Sequence, residues 1–245
     1  MLFDLRSRRR KNTVRVIYSL LSAVMIVGLV AFGVGTGTTG LFGGGNNSGS
    51  SDNSSNSGLV SKAEAAVKKD PNSLSAWSSL FYASYANATT APNTKGTAGE
   101  LTKSGVAAMK QTAKAWEHYL ALSDSKPSFV NAVSAGRMYV DLGLYSSASE
   151  FANAVTAWEY AVSALPQNAY SSLVNQYTCV ALSAYAAGQT NTGDQAGQKT
   201  VEVAKLAKVA KIQITGFGAM FKAAKTTPAD AKDYAAASCS SLQVS

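Results

Sequence analysis

The sequence predicts an all-α protein: a single transmembrane helix, a flexible tether and, beyond it, an array of antiparallel helical hairpins. Three observations predict this. Residues 16–34 form an uncharged apolar run, residues 35–58 are almost all Gly, Ser, Asn and Thr, and residues 59–245 repeat their apolar side chains at helical spacing between widely separated prolines.

Residues 1–15 hold Arg6, Arg8, Arg9, Arg10, Lys11 and Arg15 against one acid, Asp4. Cationic side chains beside a span stay on the cytoplasmic side, so this basic leader is expected inside, against anionic headgroups, with everything after the span outside. The span itself, VIYSLLSAVMIVGLVAFGV, is nineteen residues. At ~1.5 Å per residue it reaches about 28 Å, close to a hydrocarbon core of ~30 Å. A cleaved signal peptide is the rival, with a weak small-x-small site at Gly35-Thr36-Gly37, but its apolar region is usually about 7–15 residues. The expected location is therefore the cell membrane, single-pass, with the C-terminal domain extracytoplasmic.

The tether, residues 35–58, has only Leu41 and Phe42 as large apolar side chains. Such a stretch cannot bury enough surface to offset the entropy of ordering it. Gly40–Gly45 lies inside it, not between a strand and a helix, which excludes a phosphate-cradling loop.

Helices are expected over 60–69, 72–88, 99–123, 128–142, 146–165, 168–187, 194–214 and 228–239, with 89–98 as a loop. Met109, Ala113, Trp116 and Leu120 fall on one helical face, as do Leu173, Tyr177, Val180 and Ala184. Breaks are expected at Lys69-Asp70-Pro71, Lys126-Pro127 and Leu165-Pro166, and Thr227-Pro228 reads as a cap followed by a first-turn proline. Gly216 and Gly218 are expected to interrupt the seventh helix, leaving a short segment over Met220–Lys225.

The chain carries a formal charge of +8. Six of its 22 basic residues sit in the leader, so residues 59–245 keep sixteen against twelve acids. That is too mild a surplus to indicate nucleic-acid binding. No serine-hydrolase elbow, zinc-protease helix, phosphate loop or dinucleotide fingerprint occurs. The single histidine, His118, stands among Trp116, Glu117 and Tyr119 with no second histidine to share a metal, and Glu117 and Asp124 form no spaced pair. Neither a cofactor nor an enzymatic activity is expected. Cys179 and Cys239 are the only cysteines. In an oxidising compartment they fit a bridge pinning the last helix to the sixth; two unpaired buried thiols fit as well.

Around the prolines the sequence repeats itself in fragments. Pro71 precedes Trp77 and Leu80; Ala115 precedes Tyr119, Leu122 and Pro127; Gly136 and Tyr139 precede Leu142-Gly143-Leu144-Tyr145-Ser146-Ser147-Ala148. These fragments resemble the tetratricopeptide repeat, a helix–turn–helix unit of ~34 residues. Phe81, Ser84 and Ala152 depart from its pattern, and the prolines are unevenly spaced. The resemblance implies a right-handed array of about three hairpins with capping helices. With its anchor, the chain is also similar to bacterial membrane-anchored repeat proteins. Such arrays bind on a concave face. Trp77, Leu80 and Ser84 would pack inward, while Ser78, Tyr82 and Tyr85 on the adjacent face, with Val133, Arg137 and Val140 as their counterparts in the next unit, would form a peptide-binding groove. Arg137 is the only arginine after the leader, and exposed Tyr with Arg is a composition favoured at binding hot spots. The expected role is capture of other proteins or peptides near the membrane. A helical module binding a small molecule or cell-wall glycan is the alternative.

Overall fold

Short polar side chains cap the starts of four of the described helices. In the computed structural model, which describes residues 56–95 and 100–240, Ser73 caps α2 (Leu74–Ala88), Thr102 caps α3 (Lys103–Leu122) and Ser128 caps α4 (Phe129–Tyr145). Each hydroxyl accepts from the backbone N–H three residues on, at 3.1–3.3 Å. α1 (Asn56–Lys69) precedes them, and α5 (Glu150–Ser163), α6 (Tyr170–Ala186), α7 (Thr190–Leu206) and α8 (Lys211–Thr226) follow. α9 (Pro228–Cys239) is capped by Thr227 with Pro228 in its first turn.

The described residues are all-α apart from one small ladder. β1 (Thr94–Lys95) pairs antiparallel with β2 (Glu100–Leu101), and Lys95 meets Glu100 at 3.3 Å across it. Neighbouring helices pair in sequence: α2 with α3, α4 with α5, and α6 with α7. α1 lies on α2, α8 on α7 and α6, and α9 against α6, α8 and α4.

Small residues set the closeness of these pairs. Gly136 and Gly143 are two turns apart on α4, and a Cβ on either would fall 2.5 Å from the Trp158 ring and 2.8 Å from the Phe151 ring of α5. Both rings are almost wholly buried. One core runs from Phe81 through Trp116, Tyr119, Met138, Phe151 and Trp158 to the buried face of α6. A smaller one joins Leu173, Val174, Val203 and Ala204. Cys179 and Cys239 form a disulfide with Cα atoms 5.6 Å apart, holding the end of α9 on α6.

The structure corrects three readings of the sequence and refines a fourth. The seventh helix does not run to 214. α7 ends at Leu206, and the break falls at Ala207–Ala210, with Lys208 in the left-handed region at φ 57°. The N–H of Val209 reaches back to the carbonyl of Ala204 at 3.0 Å, while Val209 packs on the Val203–Ala204 cluster, the arrangement of a helix stop closed by an apolar contact. Gly216 and Gly218 lie inside a continuous α8. In α2 Trp77 and Leu80 pack against the core as expected and Ser84 is buried, but the large side chain that is fully buried is Phe81, the residue that departs from the repeat pattern. The helical region begins at Asn56, three residues inside the segment read as tether.

The basic leader, the apolar run 16–34 and the tether up to residue 55 lie outside the described residues. Among those described, no helix is long and apolar enough to cross a membrane.

Candidate functional site

α2 and α4, the first helices of successive pairs, meet through polar side chains. On α2, Ser78 and Tyr82 are one turn apart. Asn131 Nδ2 of α4 donates to Ser78 Oγ at 3.0 Å, and Ser134, one turn further along α4, hydrogen bonds to Tyr82. Asn131 is buried. Burial pushes the Tyr82 phenol up to about 12, with the Ser134 hydrogen bond opposing and the neighbouring Tyr119 adding to the rise. The hydroxyl therefore remains a protonated donor throughout the physiological range.

The next turn of α4 carries Arg137, which is exposed. The turn before Ser134 carries Val130, 60% exposed although apolar. Val130, Ser134 and Arg137 thus follow one stripe of α4, with Tyr82 docked at its middle. The stripe continues to Asp141, which is fully buried and accepts from Ser240 Oγ just beyond α9. One end of the α4 stripe is covered by the chain's own C-terminal segment and the other is open.

The sequence-derived candidates separate here. Arg137 is open to solvent. Tyr82 is half-buried and held by Ser134. Tyr85 is half-buried and faces the core, its ring parallel to that of Phe81 at 6.3 Å. The expected exposed Tyr82–Tyr85 pair is therefore not formed. Phe81 draws Tyr85 inward because aromatic stacking and burial outweigh exposure of one hydroxyl. Val133 is half-buried and Val140 wholly buried, so Arg137 alone of those three faces outward. Sequence reasoning missed Asn131 and Ser134. Their signal was two polar residues at helical spacing on the otherwise small and apolar face of α4.

His118 stacks on Trp77 with centroids 4.3 Å apart, and the Trp77 indole donates to the Pro71 carbonyl at 2.7 Å. The stack fastens α2 to α3, and the hydrogen bond ties Trp77 to the turn before α2. Among the described residues no group of three His, Cys, Asp or Glu stands together to hold a metal ion.

Two clefts flank α7. The first, about 560 Å³, lies between α5, α6 and α7 and is lined by Glu159, Val162, Tyr177, Gln195, Lys199 and Glu202 among others. Burial raises the Glu159 carboxyl above its ordinary value, and Lys199 donates to Glu202 at 2.8 Å on the rim. The second, about 510 Å³, lies between α7 and α8. Beside it Tyr185 donates to Asp194 at 2.9 Å and Lys225 donates to the other oxygen of Asp194 at 2.7 Å, joining α6, α7 and α8.

Comparison of the chain with protein-family models, curated proteins and solved structures gives no match.

Proposed function

We propose that the protein is a membrane-anchored interaction module: residues 16–34 hold a tetratricopeptide-like helical array outside the cytoplasm, where it captures proteins or peptides at the cell envelope. The observation that carries the reading is the α4 stripe, where an exposed guanidinium at Arg137 and an exposed apolar side chain at Val130 flank the hydroxyl of Tyr82. A guanidinium grips a carboxylate with two parallel hydrogen bonds, and the exposed Val130 side chain offers a separate apolar contact. Val130 and Arg137 stand two turns, about 10 Å, apart along α4, so the matching occupant is an extended peptide bearing a carboxylate about three residues from an apolar one. The anchor and tether would keep this strip at high effective concentration near exported or membrane-bound chains. The experiment is in-cell crosslinking and recovery of partners with the full chain and its Arg137→Ala variant. Loss of a central hot-spot arginine costs about 2 kcal/mol, a fall in capture of more than tenfold, with helicity retained. Unchanged recovery removes the reading.

The cleft between α5, α6 and α7 favours a second reading, a small-molecule or glycan site. Its volume of about 560 Å³ falls in the ~300–1,000 Å³ range of ligand pockets, and the Tyr177 ring on its wall offers a stacking surface. Calorimetry with cell-wall glycan fragments on the full chain and its Tyr177→Ala variant decides between the two.

A further inference from the structure

The most exposed large apolar side chain described is Ile212, at 82%, and Leu206, on the other side of the same turn, is 53% exposed. Lys205, Lys208 and Lys211 alternate with them, so residues 205–212 place three cations and two uncovered apolar side chains on one corner, where α7 ends and α8 begins. All three lysines are exposed, and none forms a salt bridge among the described residues. No acid occurs from Val203 to Ala229, against five lysines.

Fold requirements do not account for this composition. Lys205 and Lys208 suit the negative end of α7, but Lys211 opens α8, where the helix dipole disfavours a cation. Lys208 occupies a left-handed backbone position at φ 57° that glycine would fill without strain. Val209, between them, supplies the inward contact that closes the turn. Leu206 and Ile212 thus stand out by position, not because the turn needs them.

The cleft between α7 and α8 shares this corner. Val201, Gly197 and Phe221 line it with Lys205 and Lys222. Its two acids are already engaged, Asp194 with Lys225 and Glu202 with Lys199. The uncompensated charge along the groove is positive.

We propose that the α7–α8 corner is a membrane contact of the folded domain, docking on an anionic bilayer surface. Lys205, Lys208 and Lys211 lie at the headgroups, and Leu206 and Ile212 enter the interface. Cations beside short apolar anchors are the composition that binds lipid surfaces. The charge selects anionic lipid, and the bare side chains select a surface with an apolar interior over a soluble polyanion. The inference rests on the reading of the chain as membrane-anchored and adds to it a second attachment, which would fix how the domain stands on the bilayer.

The test uses the full chain reconstituted in vesicles containing brominated acyl chains. Ile212→Trp adds an indole at the corner, and its emission is measured against the native chain. In phosphatidylglycerol-containing vesicles the added emission falls by about half as the ring enters the interface. It does not fall in pure phosphatidylcholine, and it recovers at ~1 M salt, where the screening length is about 3 Å. Replacing the three lysines with glutamine in the Ile212→Trp chain abolishes the quenching while circular dichroism is unchanged. An unquenched indole in anionic vesicles overturns the proposal, as does equal quenching in neutral ones. Capture of polypeptide instead of lipid by a photo-crosslinker at position 206 in native membranes also overturns it. Alkaline extraction reports separately on the anchor: release of the whole chain sinks the anchored reading, whereas retention with an unquenched indole sinks only the corner.

Discussion

Gly136 and Gly143 on α4 each lie under an aromatic ring of α5, closer than any Cβ could tolerate, while Gly216 and Gly218 on α8 face open space with no atom within 4 Å of a Cβ. The same residue, twice in each helix at helix-interior positions, does opposite work. In the α4–α5 pair it lets Trp158 and Phe151 settle against the partner backbone, and both rings are almost wholly buried. In α8 it fills no contact, and of that helix only Phe221 and Ala224 are buried. The difference separates a region whose sequence is dictated by packing from one whose sequence is free of it. Composition left unexplained by packing in the second region, such as the exposed Ile212, therefore carries functional information.

α9 joins the two regions, since it packs on α4, α6 and α8 and is held to α6 by the disulfide. Breaking that link gives the largest expected effect. The bridge spans 60 residues, and on the chain-entropy estimate it stabilises by about 4 kcal/mol. The Cys179→Ala/Cys239→Ala chain should unfold at correspondingly lower denaturant, and reductant should shift the native chain but not this variant. An unchanged midpoint would mean that α9 is held by packing alone.

Gly136→Ala comes next. The added methyl group runs into the six-membered ring of Trp158 at 2.5 Å, and the ring is 2% exposed, with no room to retreat. Overpacking of this kind costs ~1–3 kcal/mol, against a gain of about 1 kcal/mol from helix propensity. Net destabilisation should appear in chemical denaturation, together with an altered Trp158 environment in fluorescence. A neutral outcome would show that α4 and α5 can slide apart, which weakens the contrast with α8.

How much of this was legible in advance follows the same division. Where burial dictates the residue, the sequence reads directly. Met109, Ala113 and Trp116 are all buried on α3, and Leu173, Val180 and Ala184 on α6, as their spacing requires. Pro71, Pro127 and Pro166 fall between helices, and Pro228 opens one. Where backbone conformation decides, the sequence misleads. Lys208 takes the left-handed position that usually announces itself as glycine, so the end of α7 carries no glycine signal, while two real glycines inside α8 imitate a break. Tyr82 and Tyr85 share one predicted face, yet Ser134 holds the first and Phe81 turns the second inward. Those partners belong to the packing of α2 on α4 and to the departure from the repeat pattern at Phe81, and a single helix's periodicity contains neither.

Gly218→Ala inverts the Gly136 prediction with the same chemical change. The new methyl group meets nothing within 4 Å, so only the backbone term remains, and alanine in a helix interior gains about 0.5–1 kcal/mol over glycine. A rise in midpoint here and a fall for Gly136→Ala, measured in the same buffer, is the sharpest statement of the comparison. Loss of stability at both positions would mean that α8 contacts something the folded chain alone does not include.

The smallest effect is expected where α8 is fastened to its neighbours. The Tyr185 ring lies over Gly193, whose Cβ would fall 2.5 Å from it, and the hydroxyl then reaches Asp194, the next residue. Lys225 of α8 completes the link, and its hydrogen bond, followed by that of Tyr185, holds the Asp194 carboxyl below its ordinary value of 3.8. A depressed carboxylate contributes stability that is fully present above its unfolded pKa and is lost as pH falls through the folded one. The difference in Tm between the native chain and Asp194→Asn should therefore be constant from neutral pH to about 5, and should shrink below the unfolded value of ~3.9. Because Asp194 is part-exposed, the whole effect belongs with surface pairs and should fade at high salt. Lys225→Met should bring the Asp194 carboxyl back toward its ordinary value in a carbon-13 titration, with the α4–α5 pair unaffected. A Tm difference that persists at pH 2 would show that Asp194 acts as a neutral hydrogen-bond partner of Tyr185, and α8 would then be held to α6 and α7 by packing around Phe221.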